Sequence, residues 1–155
     1  MQRTNKKGFT LSELMAVVVI IAIIAGVALG SYRSITEKAV FNEGLTIAHT
    51  IAAAADEYYY EYHVQPASLE KLVLDLKGVT VDGKNISSKH FTGVFAPTSS
   101  MRLSSKDYPY DLSVSMEYYG QKPDYCIGRD SQGKGKAFCQ SMGYANCSGS
   151  NCTKE

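Results

Sequence analysis

One acidic residue interrupts an otherwise apolar stretch near the start of this 155-residue chain. The stretch covers residues 9–29, and the interrupting acid is Glu13. As a helix these residues would be about 31 Å long, which matches the roughly 30 Å hydrocarbon core of a bilayer. A carboxylate in such surroundings costs about 2.5–3.5 kcal/mol. A segment that only anchors the chain in a membrane does not need a carboxylate. The sequence therefore predicts that Glu13 meets a positive group inside apolar surroundings.

A short basic segment precedes the apolar stretch and ends at Gly8. Ordinary secretory leaders have their cleavage site after the apolar region, whereas this glycine lies before it. Cleavage after Gly8 would leave the apolar helix on the mature protein and would create a new amine at Phe9. Glu13 would then be the fifth residue of the mature chain.

Residues 6–14, with the sequence KKGFTLSEL, resemble the class III signal of type IV pilins and of the related type II secretion pseudopilins. The resemblance implies that a prepilin peptidase cleaves between Gly8 and Phe9 and methylates the new amine of Phe9. It also implies that mature chains form a filament in which Glu13 pairs with the Phe9 amine of a neighbour. A single-pass signal anchor with a chance acid is the alternative.

The distribution of charge predicts the orientation of the chain. Arg3, Lys6 and Lys7 precede the apolar stretch, so the N-terminus is expected to stay in the cytoplasm and the rest to be exported. Removal of residues 1–8 would change the formal charge from +1 to about −2, which argues against a basic surface for nucleic acid. The length fits one small domain. We therefore predict a leader over residues 1–8, a transmembrane and filament-core helix over 9–32, and an exported globular domain over 33–155.

The four cysteines agree with export, since all of them lie beyond residue 125. An even number in an exported segment predicts disulfides. A zinc site would require Cys-x-x-Cys pairs or nearby histidines, whereas the spacings between these cysteines are 13, 8 and 5 and the histidines lie well upstream. Of the three possible connectivities we favour Cys126–Cys139, which would close a hairpin-like loop between two strands, and Cys147–Cys152, which would close a small turn.

An amphipathic pattern continues beyond the apolar stretch. Apolar residues recur every three or four positions as far as Tyr62, which predicts one helix from residue 9 to about 62 with a stripe packed on a globular domain. Three glycines weaken this helix by about 1 kcal/mol each: Gly26, Gly30 and Gly44. The polar residues expected mainly on the opposite face are Glu37, Lys38, Asn42, Glu43, Thr46, Thr50, Asp56, Glu57 and Glu61.

The residues after Pro66, which ends the long helix, predict mostly strands. Residues 67–72 suit a helical turn capped by Ser68. A hairpin is expected at Asp82 and Gly83, followed by strands over 91–96, 101–104, 113–118 and 125–127, and then a loop from residue 143 onward. The predicted fold class is α+β, with the long N-terminal helix packed on a small antiparallel sheet of about four main strands; the resemblance implies the same pilin-like fold.

No catalytic or cofactor-binding motif is convincing, so we expect no enzyme activity, no cofactor and no metal. His49 is predicted to be solvated on the polar face of the helix. Asp124 and Asp130, with the turn over 131–133, supply too few carboxylates for a calcium loop. The many tyrosines suit half-buried positions between a helix and a sheet.

Three functions stay open on the sequence alone. A type IV pilin, with a role in adhesion, twitching motility or DNA uptake, is supported because the C-terminal region bounded by cysteines resembles the disulfide-closed loop of pilins. A type II secretion pseudopilin is supported by residues 66–70, PASLE. No residue supports the third, a membrane-anchored periplasmic enzyme or binding domain.

The partners implied by the resemblance are other copies of the chain, prepilin peptidase, the inner-membrane assembly machinery and the membrane, with no specific nucleic-acid site. The precursor would lie in the inner membrane, and the assembled form would be a surface pilus or a periplasmic pseudopilus.

Overall fold

The computed structural model describes residues 9–120, 123–130 and 132–154. The predicted leader, including Gly8 of the expected cleavage site, lies outside the described residues. The chain divides into two compact units, the first ending at Ala39 and the second beginning at Val40. The division that we predicted, 9–32 and 33–155, stays a prediction.

A single long helix begins in the first unit. Helix α1 extends over Leu11–Tyr62, as predicted, and its backbone is helical at Gly26, Gly30 and Gly44. Every side chain of residues 9–27 is exposed. Among the residues described, no helix combines the length and the apolar character that a membrane span requires.

The second unit contains one antiparallel sheet, which confirms the predicted α+β class. The described residues form eight strands, whereas a hairpin around Asp82 and Gly83 and about four main strands were expected. They are β1 Thr80–Asp82, β2 Asn85–Ser87, β3 Phe91–Ala96, β4 Ser100–Ser105, β5 Tyr110–Ser115, β6 Tyr125–Gly128, β7 Asn146–Ser148 and β8 Asn151–Thr153. The order across the sheet is β1-β2-β3-β4-β5-β6-β8-β7, so only the last hairpin departs from sequence order.

The core of this unit lies between the sheet and the part of α1 that begins at Val40. Strands β3 and β4 alternate buried and exposed residues, as a half-buried sheet requires. The helix contacts the sheet closely at Gly44, where a Cβ atom would lie 2.5 Å from Cζ of Phe91. Glycine is therefore needed here despite its low helix propensity. The buried residues of α1 are Val40, Phe41, Ile47, Ala48, Ile51, Ala52 and Ala55, with the carboxylate of Asp56.

Two predictions about α1 are wrong at its C-terminal end. Tyr62 was placed on the buried stripe but is 56% exposed. Asp56 was placed on the polar face but is 9% exposed, because its Oδ1 accepts a hydrogen bond from the backbone N–H of Tyr118 at 3.1 Å. This bond holds residues 117–119 as a 3-10 turn, and the strand predicted over 113–118 therefore ends at Ser115.

The turn after Pro66 is a 3-10 turn over Leu69–Lys71. Ser68 precedes it as expected, but its side chain makes no capping hydrogen bond, so the predicted cap is wrong. The turn is held instead by the backbone N–H of Leu69, which donates to the carbonyl of Gly83 at 2.9 Å.

The C-terminal region is more regular than predicted. Cys139 lies on helix α2, Lys134–Ser141, and not on a strand. The two oxygens of Asp130 accept hydrogen bonds from the backbone N–H groups of Lys134 at 2.7 Å and Gly135 at 2.6 Å, which satisfies donors that a helix start leaves free. The tail expected to be a loop forms the hairpin of β7 and β8, because β8 pairs with β6.

Candidate assembly site

Thr10 and Glu13 bind each other at the start of α1. The backbone N–H and the hydroxyl of Thr10 both donate to Oε2 of Glu13 at 2.8 Å. The N–H of Glu13 is 3.4 Å from Oγ1 of Thr10. This reciprocal arrangement is a capping box, whose sequence signature is Thr-x-x-Glu. We missed it on the sequence, although Thr10 and Glu13 have the required spacing.

The capping box fixes the carboxylate at the N-terminal end of α1, which Phe9 precedes in the sequence. A helix start carries positive partial charge, so a carboxylate is favoured there within the subunit itself. No hydrogen bond or ion pair joins Phe9 and Glu13 among the described residues, and Oε1 of Glu13 has no hydrogen-bonded partner there. Phe9 is 82% exposed. The carboxylate is therefore positioned at the helix start with one oxygen open to a further donor.

The surface around this carboxylate is apolar. Apart from Thr10, Ser12 and Glu13, residues 9–27 have no polar side chain, and all of them are exposed. Ile20 is 56% exposed and Val27 is 73% exposed. A continuous exposed apolar surface of this length marks association with a membrane or with other proteins. Burial of this surface would also bury Glu13, which then needs a positive partner.

Two disulfides close the C-terminal region of the second unit. Cys126 of β6 is bonded to Cys139 of α2, with 5.7 Å between the Cα atoms. Cys147 and Cys152 face each other across the hairpin of β7 and β8, with a Cα–Cα distance of 4.0 Å. These are the two pairs favoured from the sequence. Disulfides of this kind are typical of an oxidising compartment.

Aromatic rings join the first disulfide to the core. Phe138 of α2 stacks on Tyr110, with 4.6 Å between ring centroids, and meets Phe41 of α1 edge-on at 5.8 Å. Burial raises the pKa of the Tyr110 hydroxyl far above its usual value, and burial also raises the pKa of Tyr144 to about 12. Helix α2 is thus fixed to β6 by the disulfide and to α1 by rings.

Polar side chains discussed as possible ligands have structural partners. His49, predicted to be solvated, is 54% exposed at its side chain and its Nε2 lies 3.0 Å from Oδ2 of Asp124. Asp130 caps α2. Within the described ranges, no group of three or more His, Cys, Asp or Glu side chains could hold a metal ion, and the cysteines are all paired.

Comparison with known proteins identifies the N-terminal region. Residues 3–29 match the family model described as the prokaryotic N-terminal methylation motif. The chain is 35% identical over 89 residues to a type IV major pilin protein, PilE1, of Neisseria gonorrhoeae, covering 55% of this chain and 42% of the relative. It is 32% identical over 100 residues to a fimbrial protein of Neisseria meningitidis serogroup A, covering 62% and 59%. No solved structure matches the chain significantly.

The alignments with those two relatives span less than two thirds of the relatives' length. A longer alignment exists with another PilE1 of Neisseria gonorrhoeae, which is 34% identical over 141 residues, or 88% of this chain and 76% of the relative. Together with the methylation motif and the α+β fold, this alignment shows that the chain belongs to the type IV pilin family.

Proposed function

We propose that this chain is a structural subunit of a type IV pilus and has no enzyme activity. The observation that carries the proposal is the exposed apolar surface of α1, which contains one carboxylate and lies within the methylation motif. The relatives are named as pilins and fimbrial proteins, which supports a structural role in a filament. Adhesion, twitching motility and DNA uptake are the activities that such a pilus would serve.

Processing creates the positive group that Glu13 needs. The precursor inserts into the inner membrane with its basic residues in the cytoplasm, and a prepilin peptidase cleaves between Gly8 and Phe9. Methylation of the new amine of Phe9 follows. Cleavage releases an ammonium next to the capping box, whereas in the precursor the same nitrogen belongs to a neutral peptide bond.

Assembly then pairs Glu13 of one subunit with the Phe9 ammonium of a neighbour. The inner-membrane machinery moves mature subunits from the bilayer into a bundle of apolar helices. In such surroundings an unpaired charge costs several kcal/mol, and a neighbour displaced by one position would leave both charges unpaired. The pair therefore fixes the register of the filament more than it adds net stability.

A type II secretion pseudopilin is the alternative. The names of the relatives favour the pilus, because they are major pilins and fimbrial proteins. Deletion of the chain distinguishes the two: loss of surface filaments supports the pilus, and failure to release exoenzymes with no loss of filaments supports the pseudopilus.

Mass spectrometry of subunits from purified surface filaments tests the proposal. We expect a chain that begins at Phe9, carries one added methyl group on its amine and contains two disulfides. Filaments composed of a chain that retains Met1 would contradict the proposal, as would a processed chain that is never found in a filament.

A further inference from the structure

The C-terminal end of α1 has an exposed apolar surface within the second unit. Tyr62 and Val73 are 56% and 99% exposed, and we call these two residues, with Tyr58 and Leu72 beside them, the tyrosine surface. The rings of Tyr58 and Tyr62 lie 4.7 Å apart. A groove beside Tyr62 is lined by Tyr58, Leu72 and Val73. Grouped apolar side chains at the end of a folded unit mark a site of protein contact.

The groove at the tyrosine surface has a net negative charge, because Glu57 and Glu61 line it together with one lysine, Lys71. Glu57 and Glu61 are exposed beside it, and neither forms an ion pair with any residue that the structure describes. The last turn of α1 has no basic residue, although the free carbonyls of a helix end favour a cation. Aromatic faces beside carboxylates favour a partner that carries ammonium or guanidinium groups.

The same unit has a surface of the opposite character. Helix α2 begins with Lys134 and Lys136 and has no acidic residue in its first turn. The carboxylate of Asp130, which caps the helix start, offsets one of these two positive charges. Neither ammonium forms an ion pair within the described part of the chain. The two surfaces thus carry net charges of opposite sign.

The two surfaces lie at opposite ends of the portion of α1 that packs on the sheet. Helix α2 contacts the beginning of this portion, since Phe138 meets Phe41 at 5.8 Å. Glu57 lies sixteen residues further along α1, or about 24 Å. A contact between different surfaces of successive subunits repeats along an open filament when its rotation does not close into a ring.

We propose that the tyrosine surface of one subunit, with Glu57 and Glu61, binds the Lys134 and Lys136 end of α2 in a second copy of this chain. The inference rests on the proposed pilus function and names the surfaces through which its globular parts meet. Opposite charges then align successive subunits, while Tyr62 covers the aliphatic stems of the lysines.

Charge reversal tests this contact in cells that assemble filaments. Glu57→Lys with Glu61→Lys, or Lys134→Glu with Lys136→Glu, should each lower filament yield at least about tenfold, because like charges then face each other. Combining all four substitutions should restore the yield. The matched control, Glu43→Lys with Lys77→Glu, reverses exposed charges elsewhere in the unit and should leave the yield unchanged. Disulfide mapping and circular dichroism of each purified variant establish that it is folded.

The outcomes separate this inference from the proposed function. Normal filaments from folded reversal variants, or no recovery in the fourfold variant, would overturn the contact while the pilus function stands. No filaments from the unaltered chain would overturn both.

Zero-length carbodiimide cross-linking of unaltered filaments gives a second test. Mixed ¹⁴N and ¹⁵N subunits should show Glu57 or Glu61 joined to Lys134 or Lys136 between chains. Cross-links of these carboxylates to a different protein, or only within one chain, would overturn the second copy as the partner.

Discussion

Replacement of Gly135 by alanine should destabilise the second unit, although alanine is the better helix former. A Cβ atom at this position would lie 2.2 Å from the carbonyl oxygen of Pro109 and 2.8 Å from Cα of Gly128. Both neighbours are backbone atoms, so the clash cannot be relieved by rotation of a side chain. Helix α2 would have to move away from β6 by about 1 Å, against the Cys126–Cys139 bond.

The expected magnitude follows from two opposing contributions. Overpacking costs about 1–3 kcal/mol, and a backbone contact belongs at the upper end of that range. The higher helix propensity of alanine returns about 1 kcal/mol. The net loss should therefore be about 2 kcal/mol, which corresponds to a melting temperature lower by about 8 °C.

Urea and thermal unfolding of the oxidised full chain in detergent measure this loss. Ala137→Gly is the matched control, because Ala137 is exposed on the same helix and should lose only about 1 kcal/mol through helix propensity. A Gly135→Ala variant as stable as the unaltered chain would refute the close backbone contact between α2 and β6.

Three further predictions concern the second unit. Asp56→Ala should lower the unfolding free energy by about 1–3 kcal/mol, because the N–H of Tyr118 loses its acceptor. Asp56→Asn should recover much of this loss. Urea unfolding of both variants measures the two losses, and an unchanged urea midpoint for Asp56→Ala would contradict the prediction. Burial raises the pKa of Tyr118 and of Tyr144 to about 12, so the neutral hydroxyls stabilise the fold fully below pH 10, the ordinary value, and this stabilisation is lost as the pH rises toward 12. The absorbance of tyrosinate should show at least three hydroxyls that titrate late in the folded chain, those of Tyr110, Tyr118 and Tyr144. Uniform titration of all eleven tyrosines would contradict this prediction. Replacement of both Cys126 and Cys139 by serine should cost about 3 kcal/mol in urea unfolding, and a loss below about 1 kcal/mol would show that this bond contributes little to stability.

The repeating patterns of the sequence predicted the fold where local chemistry decides it. The apolar spacing from Phe41 to Ala55 predicted the buried face of α1, and the strand predicted over residues 91–96 is β3. Contacts between distant residues were not predictable from spacing. Asp56 is buried because the N–H of Tyr118, far along the chain, donates to it.

The C-terminal region shows the same limit. Residues 134–141, KGKAFCQS, have weak helix propensity, and helix α2 forms because Asp130 caps it and the Cys126–Cys139 bond ties it to β6. The sequence pointed to the residues of the candidate assembly site but did not predict the hydrogen bonds between them. The lone acid and the preceding glycine pointed to Glu13 and Phe9, whereas the capping box with Thr10 had a signature that we did not read.

The most direct test of the central claim is a count of filaments formed by a Glu13→Val variant. The variant should insert in the membrane and be cleaved like the unaltered chain, yet form no filaments, because the Phe9 ammonium of each subunit then has no carboxylate among the apolar helices. Met15→Leu, which alters another exposed side chain of the same apolar stretch, should assemble normally. Filaments of normal number and length from the Glu13→Val variant would contradict the claim that this carboxylate aligns neighbouring subunits.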